Sequence, residues 1–328
     1  MKIAFIKCST TAYFGDGVLS QAMTWKKGLE DAGHEVELLN IWKPLKWEDY
    51  DIVQIFSYTE QAADYIEAIA PKNPNIVLAP ILDPDFSITA MKAISHWGCA
   101  KLKLSNRYYR IHRIRHLIRM FLVRSDFEAD YIEKGWGVNK NSIFKVPLSF
   151  NHTSDFKRDR EPFCFHCSYL ADDRKNVKRL IEAAKKYEFT LKLAGKLRTP
   201  DEEQKVFNWI GDAKNIEYLG FLSNADLLNF YTKVKVFALP STNEGVGIVA
   251  LDAAAMGCDV VLTNLGGPKE YYDGLATLVN PYDIDEIGKG ILDNLNTKTS
   301  QPLLQKHIVE NYSLNNVTKL LEQAYLQV

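Results

Sequence analysis

The sequence predicts an α/β protein built from two doubly wound parallel-sheet domains, and three observations carry that reading. The chain has 328 residues, more than one compact core usually holds. Short apolar runs alternate with helical periodicity twice over, once in each half, which is the pattern of βα units with right-handed crossovers. Between the two alternations, residues 151–162 read NHTSDFKRDREP, a polar, charged stretch that suits a linker. The expected division is therefore 1–152 and 153–305, with a tail helix over 306–328 packing back toward the first domain.

In the first half, residues 2–7 form a strand and residues 18–32 a helix, with Ala22, Trp25 and Leu29 on one face. Gly33 and His34 end that helix, and residues 35–39 make the next strand. Residues 51–56 and 75–79 are further strands with a helix over 61–70 between them. Val53, Ile55, Ile76, Val77 and Leu78 suit strands covered on both faces. A long helical region leads to strands at 121–124 and 143–146. The second alternation has strands at 163–169, 190–194, 216–218, 236–239 and 260–263, and helices at 177–187, 224–232, 248–256 and 284–295. Residues 303–328 carry two amphipathic helical patterns, with Ser313 as the expected N-cap between them. Two such domains would leave a cleft facing the carboxyl ends of both sheets, the edge at which open α/β sheets bind ligands.

Composition excludes several classes. At 46% hydrophobic and 25% charged residues the chain is an ordinary globular protein, and its net charge of -1 gives no global attraction to nucleic acid. The start, MKIAFIKCS, reads as a buried strand rather than a signal peptide, and no stretch approaches the ~20 apolar residues that span a bilayer. Cys8, Cys99, Cys164, Cys167 and Cys258 are too scattered for a disulfide framework, so the expected compartment is the cytoplasm. Cys164 and Cys167 flank His166 in a lone C-x-x-C. With no second ligand pair at suitable spacing, it reads as buried strand, not a metal site.

Residues 216–281 concentrate the chemistry. A strand ends at Pro240, a polar loop follows, and Glu244-Gly245-Val246-Gly247 opens an apolar helix. Glycines there let backbone approach a ligand, and helix-terminal amides favour phosphate or sugar oxygens. Asp252 is the only charged residue from Gly245 to Gly257. A carboxylate in so apolar a helix is expected to be buried, and it needs hydrogen-bond donors. Ribose hydroxyls would supply them. Taken alone, the plainer reading has Asp252 pairing with a lysine or a backbone amide and Glu244 capping a helix.

Together these residues resemble the donor-binding core of retaining GT-B glycosyltransferases, the group 1 or family 4-like enzymes that use nucleotide sugars. The shared pattern is Pro240-Ser241, Glu244-Gly245-Val246-Gly247, Asp252, Gly266-Gly267-Pro268-Lys269-Glu270 and Leu278-Val279-Asn280-Pro281, in order within residues 121–328. The resemblance implies the GT-B fold, two Rossmann-like doubly wound parallel-sheet domains facing across a cleft. It implies that Glu244 contacts the transferred sugar, that the backbone of Gly245, Val246, Gly247 and Ile248 lines the sugar and phosphate, and that Asp252 holds the ribose. The family's usual residue there is Glu, one methylene longer. Lys175-Asn176 matches the family's Lys-Asn, with Lys175 neutralising the donor diphosphate. The preceding Gly-Arg is replaced by Ser168-Tyr169, leaving Arg174 as a second cation at a different position. The plainer alternative for Lys175 is a solvated lysine at a helix start.

In the first half, the loop 11–17 (TAYFGDG) places Gly15 and Gly17 where the family has a glycine-rich loop, although a plain tight turn explains a lone G-x-G as well. Asp83 and Asp85 follow the strand at 75–79, where the family often sets a His or Asp near the reacting carbon; Asp83 is the candidate. Residues 101–124 carry Lys101, Lys103, Arg107, Arg110, Arg113, Arg115, Arg119 and Arg124 without an acidic residue, and apolar residues recur at helical spacing. Such a helix lies on an anionic membrane or binds a phosphorylated acceptor, or it packs on the core with a solvated basic face. The expectation is a metal-independent, hexosyltransferase-like retaining enzyme with no cofactor beyond its nucleoside diphosphate sugar. Its acceptor would be a saccharide or lipid-linked hydroxyl, in cell-surface polysaccharide or glycolipid synthesis, without nucleic acid and at most at the inner face of the membrane. The alternative is a catalytically silent nucleotide-sugar-binding protein or partner subunit.

Overall fold

The computed structural model describes residues 1–8, 17–40, 45–98, 105–155, 157 and 159–328. They divide into two compact units, Met1–Ser149 with Leu314–Val328, and Phe150–Ser313. The first unit runs β1 (Lys2–Lys7), α1 (Gly17–Asp31), β2 (Glu35–Leu38), β3 (Ile52–Phe56), α2 (Glu60–Ile69), β4 (Ile76–Ala79), α3 (Ile88–His96), α4 (Arg107–Ile114), β5 (Met120–Val123), α5 (Asp126–Asp130) and β6 (Ile143–Lys145). Its six strands are all parallel, in the order β2-β1-β3-β4-β5-β6. Every residue of β3, β4 and β5 is buried, as expected of strands covered by helices on both faces.

The second unit runs β7 (Glu161–Cys167), α6 (Val177–Tyr187), β8 (Leu191–Ala194), α7 (Pro200–Ile210), β9 (Ile216–Tyr218), α8 (Asn224–Lys233), β10 (Val234–Leu239), α9 (Ile248–Ala255), β11 (Asp259–Thr263), β12 (Thr277–Val279), α10 (Ile284–Asn296) and α11 (Leu303–Tyr312). Its sheet is also fully parallel, in the order β12-β11-β10-β7-β8-β9. The winding reverses between β7 and β10, so the crevice beyond their carboxyl ends is the topological switch point at which doubly wound sheets bind ligands.

The last helix, α12 (Leu314–Tyr325), belongs to the first unit, while α11 stays in the second and packs on α9. Val317, Leu321, Ala324 and Tyr325 of α12 share one apolar cluster with Trp25 and Leu29 of α1. Glu322 adds a 2.8 Å contact to His34. The tail thus parts at Ser313, not at residue 306.

The basic stretch differs from a single amphipathic helix. Helix α4 stops at Ile114, a 3₁₀ turn covers Arg115–Leu117, and the continuous apolar run Met120–Val123 becomes β5, paired with both β4 and β6. A four-residue apolar run flanked by turns is read better by a buried strand than by a helix face. Lys101 and Lys103 lie outside the described residues. Arg110 is ion-paired with Asp64 at 2.6 Å and with Glu67. Arg124 is buried. Among the described residues no helix is long and apolar enough to cross a membrane.

Candidate functional site

The second unit's switch point brings together residues far apart in sequence. After β7 the chain makes a 3₁₀ turn, Asp173–Lys175, closed by Asn176 in the left-handed region at φ 59°. The Asn176 amide donates to the carbonyls of Pro240 (2.9 Å) and Pro281 (2.6 Å), tying this turn to the chain beyond β10 and β12. The Thr242 amide donates to the Arg174 carbonyl at 2.8 Å, a second tie. So held, the Lys175 ammonium reaches Glu244 Oε2 at 2.6 Å, and Ser241 Oγ donates to the same oxygen at 3.2 Å.

Helix α9 starts here. Gly247 is its N-cap at φ 75°, a left-handed backbone that favours glycine, and a Cβ there would also crowd the tip of the Leu239 side chain at 2.9 Å. No side chain caps α9; the Ala250 amide turns back to the Gly247 carbonyl at 2.9 Å, which leaves the first two amides of the helix, those of Ile248 and Val249, to face an anion. Gly245, Val246 and Gly247 are buried, and Ile248 is half-buried.

Asp252 lies one turn further, 8% exposed. Its two carboxylate oxygens accept from the Asn151 main-chain amide at 2.6 Å and the Asn151 side chain at 3.1 Å. Burial pushes this carboxyl above the ordinary range, and the Asn151 donors pull it back. The backbone partner foreseen as the plainer reading is therefore present. A carboxylate offers about four lone-pair sites, which leaves acceptors for further donors.

Arg174 is exposed and forks onto Asp172, Nε at 3.2 Å and Nη2 at 2.7 Å, rather than lying beside Lys175 as a second free cation. Tyr169, standing where the family has arginine, donates its hydroxyl to Glu202 of α7, and the Arg198 guanidinium rests 4.3 Å from its ring centroid. A cation therefore does stand at the end of β7, but it comes from the loop after β8. That loop can pass because residue 195 is glycine: a Cβ there would fall 1.8 Å from the Ser168 carbonyl oxygen.

His166, inside the C-x-x-C, is fully buried in β7 with both ring nitrogens engaged: Nδ1 lies 2.8 Å from the Ala238 carbonyl and Nε2 2.7 Å from Ser168 Oγ. A carbonyl only accepts, so Nδ1 carries the proton and Nε2 accepts from the serine. Burial lowers this imidazole to a pKa of about 4; the Ala238 carbonyl resists and Lys175 adds to the lowering. The unfolded chain, with histidine near 6.5, then binds more protons than the folded one between about pH 6.5 and 4. Stability from this group is complete above that window and falls as pH drops through it, by about 3 kcal/mol in all. Denaturant titrations at pH 7 and pH 4.5 are expected to show this loss, and His166→Gln to remove most of the pH dependence. An unchanged slope in the variant would refute the assignment.

In the first unit, Asp83 does not stand as an unpaired acid. Arg124 donates to it at 2.5 Å and, through Nε, to the buried Glu128 at 2.9 Å. Glu128 also accepts from the amides of Leu82 (2.6 Å) and Arg124 (2.8 Å). Burial opposes the Arg124 charge, but Asp83 and Glu128 outweigh it and hold the guanidinium protonated. Gly15 lies outside the described residues. Gly17 opens α1, and a Cβ there would meet nothing, so packing does not require glycine. No group of three or more His, Cys, Asp or Glu side chains among the described residues could hold a metal ion.

Sequence reasoning missed Asn176 as the tie, Ser241 on Glu244, Asn151 on Asp252, Arg198 over Tyr169, and the Arg124–Glu128 pair. The neighbouring Lys175 and Pro240 signalled the first two, and nothing in the local sequence signalled the others.

Comparison with known proteins gives a family match and a fold. Residues 151–312 match the family described as glycosyl transferases group 1. A D-inositol 3-phosphate glycosyltransferase of Mycobacterium marinum is 31% identical over 136 residues, 39% of this chain and 29% of that protein, so the match spans under a third of the relative. Two solved structures are similar over the whole length. Sucrose-phosphate synthase from Thermosynechococcus elongatus has a TM-score of 0.76 at 14% identity, covering 99% of this chain and 98% of that one. Anabaena Alr3699/HepE, solved with UDP and glucose, has 0.72 at 16%, covering all of both chains. At such identity the likeness shows the fold, which is GT-B.

Proposed function

We propose that the chain, whose residues 151–312 match the glycosyl transferases group 1 family, transfers a sugar from a nucleoside diphosphate sugar to a hydroxyl acceptor with retention at the anomeric carbon. The observation that carries the reading is the Lys175–Glu244 pair, 2.6 Å apart at the switch point beside the uncapped start of α9. Lys175 and the first amides of α9 face the donor diphosphate, and Glu244 takes the hydroxyls of the sugar. Asp252 takes the ribose on the lone pairs that Asn151 leaves. As the bond from the anomeric carbon to the diphosphate breaks, negative charge grows on the departing oxygen, where fixed cations and amides stabilise it without a metal ion. A new bond then joins that carbon to the acceptor oxygen, whose proton passes to the departing diphosphate oxygen.

A UDP-sugar is the first donor to try, since Alr3699/HepE was solved with UDP and glucose. The acceptor is a saccharide or a lipid-linked hydroxyl in surface-glycan synthesis. Arg113 and Arg119, exposed like Arg107 where residues 107–124 fold, with the half-buried Arg115, offer a docking face for an anionic membrane. The alternative, a silent binding protein, is favoured by Tyr169 in place of arginine, and countered by Arg198 lying on that tyrosine. The test follows nucleoside diphosphate release from UDP-, GDP- and ADP-sugars with a mixed glycan acceptor pool, and the product's anomeric configuration by NMR. Acceptor-stimulated release from one donor with retention supports the proposal. Nucleotide binding with no release would leave only the silent reading.

A further inference from the structure

We propose that the first unit carries, at the carboxyl edge of its sheet, a subsite in which Arg107 binds an anionic group, a phosphate or carboxylate, borne by the acceptor. Its role in the acceptor site rests on the glycosyltransferase reading; the observations behind it lie wholly within the first unit.

Arg107 opens α4, and its guanidinium lies over two tyrosines, 4.7 Å from the Tyr58 ring centroid and 5.1 Å from that of Tyr108. Its Nη2 donates to the Tyr108 hydroxyl at 3.2 Å. The shelf beneath is itself fixed. The two tyrosine hydroxyls meet at 3.5 Å, Tyr58 packs edge-on against the fully buried Trp136, and Phe86 packs edge-on against Tyr108. A long, flexible cation is thereby held in one place, as a binding group requires, since less freedom is then lost on association.

What Arg107 lacks is a counter-charge. Arg110, three residues on, takes Asp64 and Glu67, and Arg124 takes Asp83 and Glu128. Arg107 is exposed, the first turn of α4 holds no acidic residue, and among the described residues no carboxylate pairs with it. A cation at the positive end of a helix is disfavoured. An incoming anion would relieve that repulsion. The tyrosine contacts alone leave most of the five guanidinium N–H donors unused among protein groups, and their planar fork matches phosphate or carboxylate.

The position is that of a ligand site. Tyr58 follows β3 by two residues, and between them Ser57 has φ 87°; beyond β4, Ile81 has φ 57°. Two non-glycine residues in the left-handed region, one of them β-branched, cluster at the sheet edge where doubly wound units bind ligands. Arg107 as a purely structural cation–π group would need neither this edge nor the open donors.

The experiment titrates the full chain calorimetrically with glucose and with glucose 6-phosphate. It also measures co-sedimentation with phosphatidylcholine vesicles containing or lacking phosphatidylinositol. Wild type, Arg107→Ala and Arg107→Lys are compared, with a UDP titration run on each. The expected result is a phosphate preference of about tenfold or more, the scale of one charge-assisted hydrogen bond. It should be lost in Arg107→Ala and only partly kept in Arg107→Lys, which retains the charge but not the fork. Response in the soluble arm assigns the group to a free sugar phosphate; response only in the vesicle arm assigns it to a lipid headgroup. No phosphate preference in either arm of wild type, or a preference that survives Arg107→Ala, overturns the proposal. Because UDP binding is read separately, failure of the donor site is distinguished from failure of this subsite.

Discussion

Replacing Lys175 with alanine is expected to lower kcat by about 10²–10³, the usual cost of removing one fixed group that stabilises charge developing in a transition state. The ammonium sits on Glu244 at 2.6 Å, with Asn176 clamping its turn to Pro240 and Pro281. The diphosphate carries more negative charge as it departs than while bound, so the loss should fall mainly in kcat and less in KM. Stability should change little, since the Lys175 side chain is 23% exposed and Glu244 keeps its bond from Ser241. Steady-state kinetics beside a thermal melt make the check. An unchanged kcat would remove Lys175 from the chemistry.

Arg124→Met is expected to have the largest effect on stability, about 3–5 kcal/mol, because breaking a buried ion pair by removing one partner leaves the other charge uncompensated. Glu128 is 1% exposed and Arg124 6%. Two main-chain amides would remain on Glu128, those of Leu82 and Arg124, but no cation. The double variant Arg124→Met/Glu128→Gln removes the stranded charge; its side-chain oxygen keeps one amide bond and loses the other, which lies on the second carboxylate oxygen, so it should recover part of the loss. Denaturant unfolding of both variants measures this. A double variant no more stable than the single one would mean that lost packing, not stranded charge, dominates.

The two proposals divide between what was legible in the sequence and what was not. Glu244 and Lys175 were named from sequence because each sits in an ordered motif, and their 69-residue separation closes at the point where the winding reverses. Helix α7 lies outside the expected alternation although its start is signalled plainly: Thr199 caps it, Pro200 starts it and three acidic residues fill its first turn. The Arg124–Glu128–Asp83 cluster was not legible at all. The strand expected at 121–124 is present as Met120–Val123, but Arg124 at its end also reads as one of a run of solvated arginines, and nothing local names Glu128 and Asp83 as its partners. Asp252 shows the remaining limit: its burial followed from an apolar helix, but its Asn151 partner comes from the linker, 101 residues away.

The central claim is that the second unit's switch point holds a nucleoside diphosphate. Calorimetric titration of wild type and Lys175→Gln with UDP, GDP and ADP tests it most directly. One nucleotide is expected to bind wild type and to bind the variant about tenfold or more weakly, because a charge-assisted contact to the diphosphate is lost. If folded wild type binds none of the three, or binds one with an affinity that Lys175→Gln leaves unchanged, the donor site is not where this account puts it.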